Sequence, residues 1–445
     1  MSTGRLGIQW HITSNCLNKC EHCYMFDENY TPYDCTYEDF QSAFDSVSEF
    51  CKKYDFLDNY SITGGSPLLN PHHEKIFNLL RSNNKSFVLM DIPEMVNDEN
   101  ISTLKKYQVR SYQVSLDGME QIHDSIRGEG SFKRTIESCI KLSENGIYPV
   151  IMFTMNQKNY KELIPLCTFI KENLSEFRFG YDFAVSIGNT ATNNDAIPEN
   201  YVDTIMHEYY DFATKFNNEQ LNAKKEFVLK PTTYKVMRRS KDDRGTSFKG
   251  SYSHVSGCYI GWSSVCITET GDVLPCRRLP IVLGNLREES FENIFLQSPL
   301  LKKFRRYSEY LKGCDTCEFS LICKGCPAIT FGLTGDCFNE FPYCFYGARS
   351  KKNNNLILPD ISSSNEEEIQ LIRNTMDNQI ISNLKNITSD NPNILRAYAK
   401  IIQTNSQRDF YNDNRSWQKK FGIELFDDEV AAVYRIGSSK NMFNQ

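Results

Sequence analysis

The sixteen cysteines of this 445-residue chain are not spread along it. Three fall within Cys16–Cys23, and nine lie between Cys258 and Cys344. Clustered thiols of this kind serve either disulfides or metals, and the compartment decides between the two. The amino terminus has no basic stretch followed by an apolar run, so no export signal argues for disulfides. Nor does any run of eighteen apolar residues suggest a membrane span. The expectation is therefore a cytoplasmic, metal-binding protein with no membrane attachment. Net charge is −6 and the pI is near 5.8, which supplies no electrostatic footprint for nucleic acid.

Around the first cluster the pattern alternates strand and helix. Apolar or β-branched runs occur at Gly7–Thr13, Asn59–Thr63, Ser86–Met90, Ser111–Ser115, Tyr148–Met155 and Arg178–Val185. Helical stretches separate them. In Phe132–Asn145, Phe132, Ile136, Cys139 and Ile140 are expected on one face, with Gly146 as the stop. A second helix is expected from Tyr160 to about Leu174. Six such repeats imply parallel strands with right-handed crossovers. Six is short of the eight that close a barrel, so the expected fold is α/β, a partial (β/α)6 TIM-like barrel over residues 1–190. A connecting segment over 191–250 contains a helix at Tyr201–Phe216 and a charged loop at Arg239–Gly250. Residues 251–350, rich in Cys, Gly and turn residues, need metal to staple them. A helical C-terminal extension is expected over 351–445.

Cys16, Cys20 and Cys23 follow the first strand, on the barrel rim where active sites collect. Three thiolates can hold three irons of a [4Fe–4S] cluster and leave the fourth iron open. A zinc site usually asks for a fourth Cys or His at short spacing; His22 lies inside the motif, but its neighbouring position makes joint ligation awkward.

On these residues the chain resembles the radical S-adenosylmethionine (SAM) superfamily. The resemblance implies that SAM chelates the open iron and that one electron cleaves it. The resulting 5′-deoxyadenosyl radical then abstracts hydrogen from a substrate. It also implies site roles. Tyr24 packs near the adenine. Thr63-Gly64-Gly65-Ser66-Pro67 resembles the glycine motif for the SAM amino group, with Ser66 where an acidic residue is usual. Ser115-Leu116-Asp117-Gly118, with His123-Asp124 and Arg127-Gly128, resembles the stretch that contacts ribose and carboxylate. Ser115 would bond the ribose and Arg127 would pair with the carboxylate as a planar fork; the alternatives are an ordinary turn at Gly64–Gly65, a surface position for Arg127 and a plain helix cap at Asp117.

The second cluster resembles the SPASM domain, which binds auxiliary iron–sulfur clusters. Carried over, Cys314, Cys317, Cys323 and Cys344 hold an outer cluster, and Cys258, Cys276 and Cys326 an inner one. The gap between Cys323 and Cys326 is two residues where three is usual. Cys266 or Cys337 could complete the inner set, or an iron could stay open; the alternative reading of Cys314–Cys326 is a zinc ribbon. One or two auxiliary [4Fe–4S] clusters are thus expected beside the SAM-binding one. Cys139 and Cys167 read as core residues, while Cys35 and Cys51 have no assigned role.

Relatives with this domain mostly modify peptides and proteins. Sulfatase-maturing enzymes typically place an Asp after the position of Cys276, where this chain has Arg277 and Arg278. The expected substrate is therefore a ribosomally made precursor peptide, with a sulfatase-like protein side chain or a small cofactor precursor as alternatives. The electron donor would be of the flavodoxin or ferredoxin type. The barrel starts almost at once, so a leader-binding domain is expected to be absent or supplied by another protein, unless Phe421–Val430 in the tail docks the precursor. Asp182, Tyr181 and Arg277 are candidate bases by position.

Overall fold

A computed structural model describes residues 4–26, 31–54, 56–192, 195–198, single positions between 201 and 219, 237–238, 252–253, 258, 260–261, 264–305, 310–312 and 325–343. Cys314, Cys317, Cys323, Cys344, the loop at 239–250 and the whole C-terminal extension with Phe421–Val430 lie outside these residues. The chain divides into two compact units. One contains residues 5–201 and 263–301; the other contains residues 1–4, 202–262 and 302–445.

The first unit is the expected parallel barrel segment. Its strands are β1 (Gly4–Thr13), β2 (Phe56–Gly64), β3 (Phe87–Met90), β4 (Ser111–Ser115), β5 (Tyr148–Met155) and β6 (Arg178–Phe183), neighbours in that order. The helices between them are α1 (Tyr37–Tyr54), α2 (His73–Ser82), α3 (Asp98–Lys106), α4 (Glu120–Arg127), α5 (Ser131–Glu144) and α6 (Leu163–Asn173). The sheet does not stop at β1. Strand β9 (Ser264–Ile267) joins its free edge in parallel, with Gln9 opposite Cys266. Strands β10 (Asp272–Leu274) and β11 (Gly284–Asn285) continue it antiparallel. The first part of the cysteine-rich segment is therefore sheet, covering an edge that would otherwise offer unpaired backbone.

Side-chain alternation sorts β1 into two faces. Leu6, Ile8, Trp10 and Ile12 are almost wholly buried, and Trp10 stacks within 4.2 Å of Phe40 on α1. The opposite face carries Gln9, His11 and Thr13, and it lines the barrel interior with polar groups. Phe50 of α1 sits at the centre of Tyr54, Phe56, Phe291 and Phe295, all at 5.0–5.7 Å between ring centroids. Phe50→Ala should lower unfolding stability by about 3–5 kcal/mol, read by denaturant unfolding, because this packed site has little room to collapse.

In α5 the buried stripe is Phe132, Thr135, Cys139 and Leu142; Ile140 is 42% exposed. The expected stripe was thus rotated by part of a turn, since small polar Thr135 and Ser138 take inward positions that an apolar pattern does not reveal. Gly146 does end the helix, in the left-handed region at φ 71°. Cys139 and Cys167 are core residues, and so are Cys35 and Cys51.

In the second unit, β7 (Met237–Arg238) and β8 (Tyr252–Ser253) pair antiparallel, and the described positions between 201 and 216 are helical. A helix over Pro327–Thr334 starts after buried Cys326. At Gly325, a Cβ atom would come within 2.5 Å of the Phe341 ring, so only glycine fits there. Among the described residues no helix is long and apolar enough to cross a membrane.

Candidate active site

A cavity of about 180 Å³ opens at the carboxyl ends of the strands. The loop after β1 brings Cys16, Cys20 and Cys23 onto one wall, and Tyr24, Thr63, Gly64, Gly65, Ser115 and Arg127 line it as well. These residues come from separate stretches of chain, and the parallel topology gathers them at one end of the sheet.

Two neighbouring loops hold the cysteine loop in place. From β2, Gly65 N–H donates to Thr13 O at 2.8 Å and Ser66 N–H to Asn15 O at 2.6 Å. The approach is so close that a Cβ on Gly64 would lie 2.0 Å from Thr13 O, and one on Gly65 2.1 Å from Asn15 O. The Gly-Gly pair therefore has a packing role against the loop that leads into Cys16, besides lining the cavity. From β6, Gly188 at φ 55° packs against the carbonyls of Cys23, Tyr24 and Phe26. Asn189 N–H donates to Cys23 O at 3.1 Å, and the Thr190 hydroxyl to His22 O at 3.0 Å. Sequence reasoning missed Gly188–Thr190; a glycine directly past the sixth strand was the available signal.

Burial pushes the thiols of Cys16 and Cys23 up to about 12 and about 11 and raises that of Cys20 as well. Thiolate is the form that ligates, so a cationic centre must supply the charge that ionises them. The donor set fits an iron–sulfur cluster. Three cysteine sulfurs line one cavity, and among the described residues no fourth cysteine lines it. Three thiolates suffice for three irons of a [4Fe–4S] cluster and leave the fourth without a protein ligand.

Behind the cysteine wall lies a buried charge network. Arg127 Nε donates to Asp117 Oδ2, Nη1 to Cys20 Sγ at 3.4 Å, and Nη2 lies 3.2 Å from His22 Nε2. Asp117 is fully buried; its second oxygen accepts from Thr154 N–H at 2.7 Å. Burial alone would raise the Asp117 carboxyl, but Arg127, then His22 and His123, hold it below its ordinary range. His22 is pushed down to about 4, chiefly by burial, and is neutral at pH 7.

Ser66 and Asp117, both expected at the cofactor, are fully buried and are not among the residues that line the cavity; Asp117 pairs with Arg127. The Arg127 fork, expected to be free for a carboxylate, is already shared among Asp117, Cys20 and His22. Of the candidate bases, Tyr181 is buried and does not line the cavity, while Asp182 lines it in an ion pair with Arg278 Nη2. Among the auxiliary ligands, Cys276 belongs to the sheet unit, as does Cys266; Cys258, Cys326 and Cys337 belong to the other unit.

Asp91 also lines the cavity. Burial raises its carboxyl to about 7, against the opposing N–H bonds of Leu68 at 3.0 Å and Ile92 at 2.7 Å. A carboxyl whose folded value lies above its unfolded one favours folding below about pH 4 and loses that contribution as pH rises toward 7. Thermal melts between pH 4 and 7 should therefore fall more steeply in the wild type than in Asp91→Asn, by up to about 4 kcal/mol in ΔΔG. Parallel slopes would contradict this.

Residues 10–170 match the family profile of the Radical SAM superfamily, and residues 258–318 that of the SPASM iron–sulfur cluster-binding domain. The chain is 27% identical over 347 residues to an AdoMet-dependent heme synthase of Methanosarcina barkeri, covering 76% of this chain and 96% of that protein. It is 28% identical over 339 residues to the antilisterial bacteriocin subtilosin biosynthesis protein AlbA of Bacillus subtilis, covering 72% and 67%. Among solved structures, anSMEcpe with bound AdoMet superposes with TM-score 0.60 at 16% identity, over 86% of this chain and 98% of the other. Streptococcus suis SuiB bound to its precursor peptide SuiA superposes with TM-score 0.54 at 14% identity, over 76% and 75%. At these identities the two structures speak to the fold.

Proposed function

Because the chain carries a Radical SAM domain followed by an iron–sulfur cluster-binding SPASM domain, we propose that this radical SAM enzyme abstracts hydrogen from a peptide substrate, in the maturation of a ribosomally made precursor. The cofactors these domains imply are a SAM-binding [4Fe–4S] cluster, SAM itself and auxiliary clusters. The observation that carries the reading is the single cavity wall on which Cys16, Cys20 and Cys23 meet at the barrel mouth. Those three thiolates would hold the cluster, which when bound with SAM supplies the one-electron cleavage that generates the radical. Tyr24, Gly64, Gly65 and Ser115 on the same cavity would orient SAM. Arg127 acts differently, by fixing Cys20 through an N–H···S bond while Asp117 fixes Arg127. Hydrogen bonds to cluster sulfurs are among the protein's controls on potential.

Support for a peptide comes from the likeness to AlbA and to the structures of SuiB bound to SuiA and of anSMEcpe bound to peptides. A second reading, a tetrapyrrole substrate, is favoured by the likeness to heme synthases and to an Fe-coproporphyrin III synthase of Methanosarcina barkeri, 20% identical over 331 residues. Anaerobic co-expression with short reading frames encoded nearby, followed by mass spectrometry, separates the two. A mass change in one peptide supports the first reading. Unaltered peptides, together with 5′-deoxyadenosine formation stimulated by iron coproporphyrin III, would replace it with the second.

An iron open to SAM is also open to dioxygen. Prolonged aerobic handling is expected to abolish SAM cleavage, measured as 5′-deoxyadenosine; full activity after it would contradict the open corner.

A further inference from the structure

The barrel interior holds a cation that the site described above leaves unused. Arg277 follows Cys276 and lines the cavity. Its neighbour Arg278 is matched by Asp182 and by Phe183 O at 3.0 Å. Arg127 is matched by Asp117. Among the described residues, Arg277 has no carboxylate partner; its one polar contact is Met90 Sδ at 3.9 Å. A half-buried guanidinium with no counter-charge is costly unless something else supplies one.

A second unmatched group lies near it. His11 is on the inward face of β1, 2% exposed, and its Nε2 has no hydrogen-bond partner among the described residues. Burial and the Arg277 charge together push it down to about 3, so it is a neutral imidazole able to donate one N–H. The two belong to one cluster. Gln9, two residues before His11 on the same face, reaches the same Met90 Sδ at 3.4 Å. The His11 ring lies tilted at 6.3 Å between centroids from that of Tyr24, which lines the cavity as Arg277 does, while His11 itself is not among the lining residues. A planar fork on the cavity wall suits a carboxylate, which returns the missing charge, and a neutral imidazole near it offers a further N–H donor.

We propose that Arg277, assisted by His11, anchors a carboxylate of the substrate inside the barrel beside the three-cysteine wall. The proposal rests on the radical-enzyme reading and narrows its substrate class to molecules carrying a carboxylate near the reacting carbon. The carboxylate belongs to an Asp or Glu side chain of a peptide or to an acid side chain of a tetrapyrrole, and the two sources are separated by probe.

The test uses the full chain, reconstituted anaerobically with iron and sulfide and saturated with SAM. The probes are iron coproporphyrin III against its tetramethyl ester, and a Glu-containing peptide from a neighbouring reading frame against its Gln counterpart. In the wild type, one acid is expected to bind at least tenfold more tightly than its masked form. In Arg277→Met that acid should lose about ten- to a hundredfold in affinity, with its masked form changed less than twofold. Arg277→Lys should restore part of the loss, and His11→Phe should show a smaller loss in the same direction. Preference for the porphyrin acid assigns the tetrapyrrole source, and preference for the Glu peptide the peptide source. Acid and masked forms weakened equally by Arg277→Met, or no acid preference with either pair, would overturn the proposal. Failure of the radical-enzyme reading would look different: no probe would stimulate 5′-deoxyadenosine formation.

Discussion

Cys20→Ala is expected to reduce 5′-deoxyadenosine formation to background, and Cys16→Ala and Cys23→Ala equally so. Each thiol lines the same cavity wall, and each is held un-ionised by burial until a metal centre compensates its charge. Two sulfurs cannot define the open corner that three leave, so the loss should be near complete rather than graded. Iron should fall by about one cluster's worth while the auxiliary complement persists, because Cys276 and the other cysteines proposed to hold auxiliary clusters lie elsewhere in the chain. Chemical analysis of iron and acid-labile sulfide, with anaerobic thermal melts to confirm folding, checks this. Retained SAM cleavage in any of the three variants would contradict the assignment of that cysteine.

The second large effect is expected at a residue that need not touch the cluster. Gly65→Ala places a methyl group 2.1 Å from Asn15 O and 2.7 Å from Ser14 O, both backbone atoms. No side-chain rotation relieves such an overlap, so the loop from Ser14 to Cys16 must move or the β2 loop must peel away. Either outcome should cost about 3 kcal/mol or more, at the upper end of overpacking penalties. It should also displace Cys16 from its partners. The variant is expected to melt lower and to take up less iron at the first site. A melting point and iron content equal to wild type would show that the close approach of these loops is unimportant. Gly188→Ala, whose added Cβ would meet three carbonyls of the cysteine loop at 2.8 Å, should act in the same direction.

The sheet was legible because its signals are local. Each of β1 to β6 falls where a β-branched or apolar run is bounded by turn residues, and the helices between them carry ordinary amphipathic periodicity. The strands past residue 263 were not legible as part of the same sheet. Ser264–Ile267 is only four residues long and follows a polar stretch, beyond the helix at Tyr201–Phe216, with no strand signal of its own, and its partner is β1, over 250 residues away. Nothing local encodes a pairing of that separation. At the site, Cys16, Cys20 and Cys23 stood out because thiol spacing is itself the chemistry. Arg127, Asp117 and Cys20 were each singled out, but their pairing was not, since an ion pair to Asp117 and a bond to Cys20 depend on how three loops meet. Arg277 was visible as a residue out of place for a sulfatase-type relative. That no described carboxylate pairs with it is a fact of packing, which only the assembled barrel displays.

The central claim is that three thiolates near the amino end leave one iron free for SAM. Mössbauer spectroscopy of ⁵⁷Fe-reconstituted protein, recorded anaerobically before and after SAM is added, addresses it most directly. One iron subsite should change its isomer shift toward higher coordination when SAM binds, while the other irons stay unchanged. A spectrum that SAM leaves unaltered, in protein carrying its full iron complement, would contradict the claim.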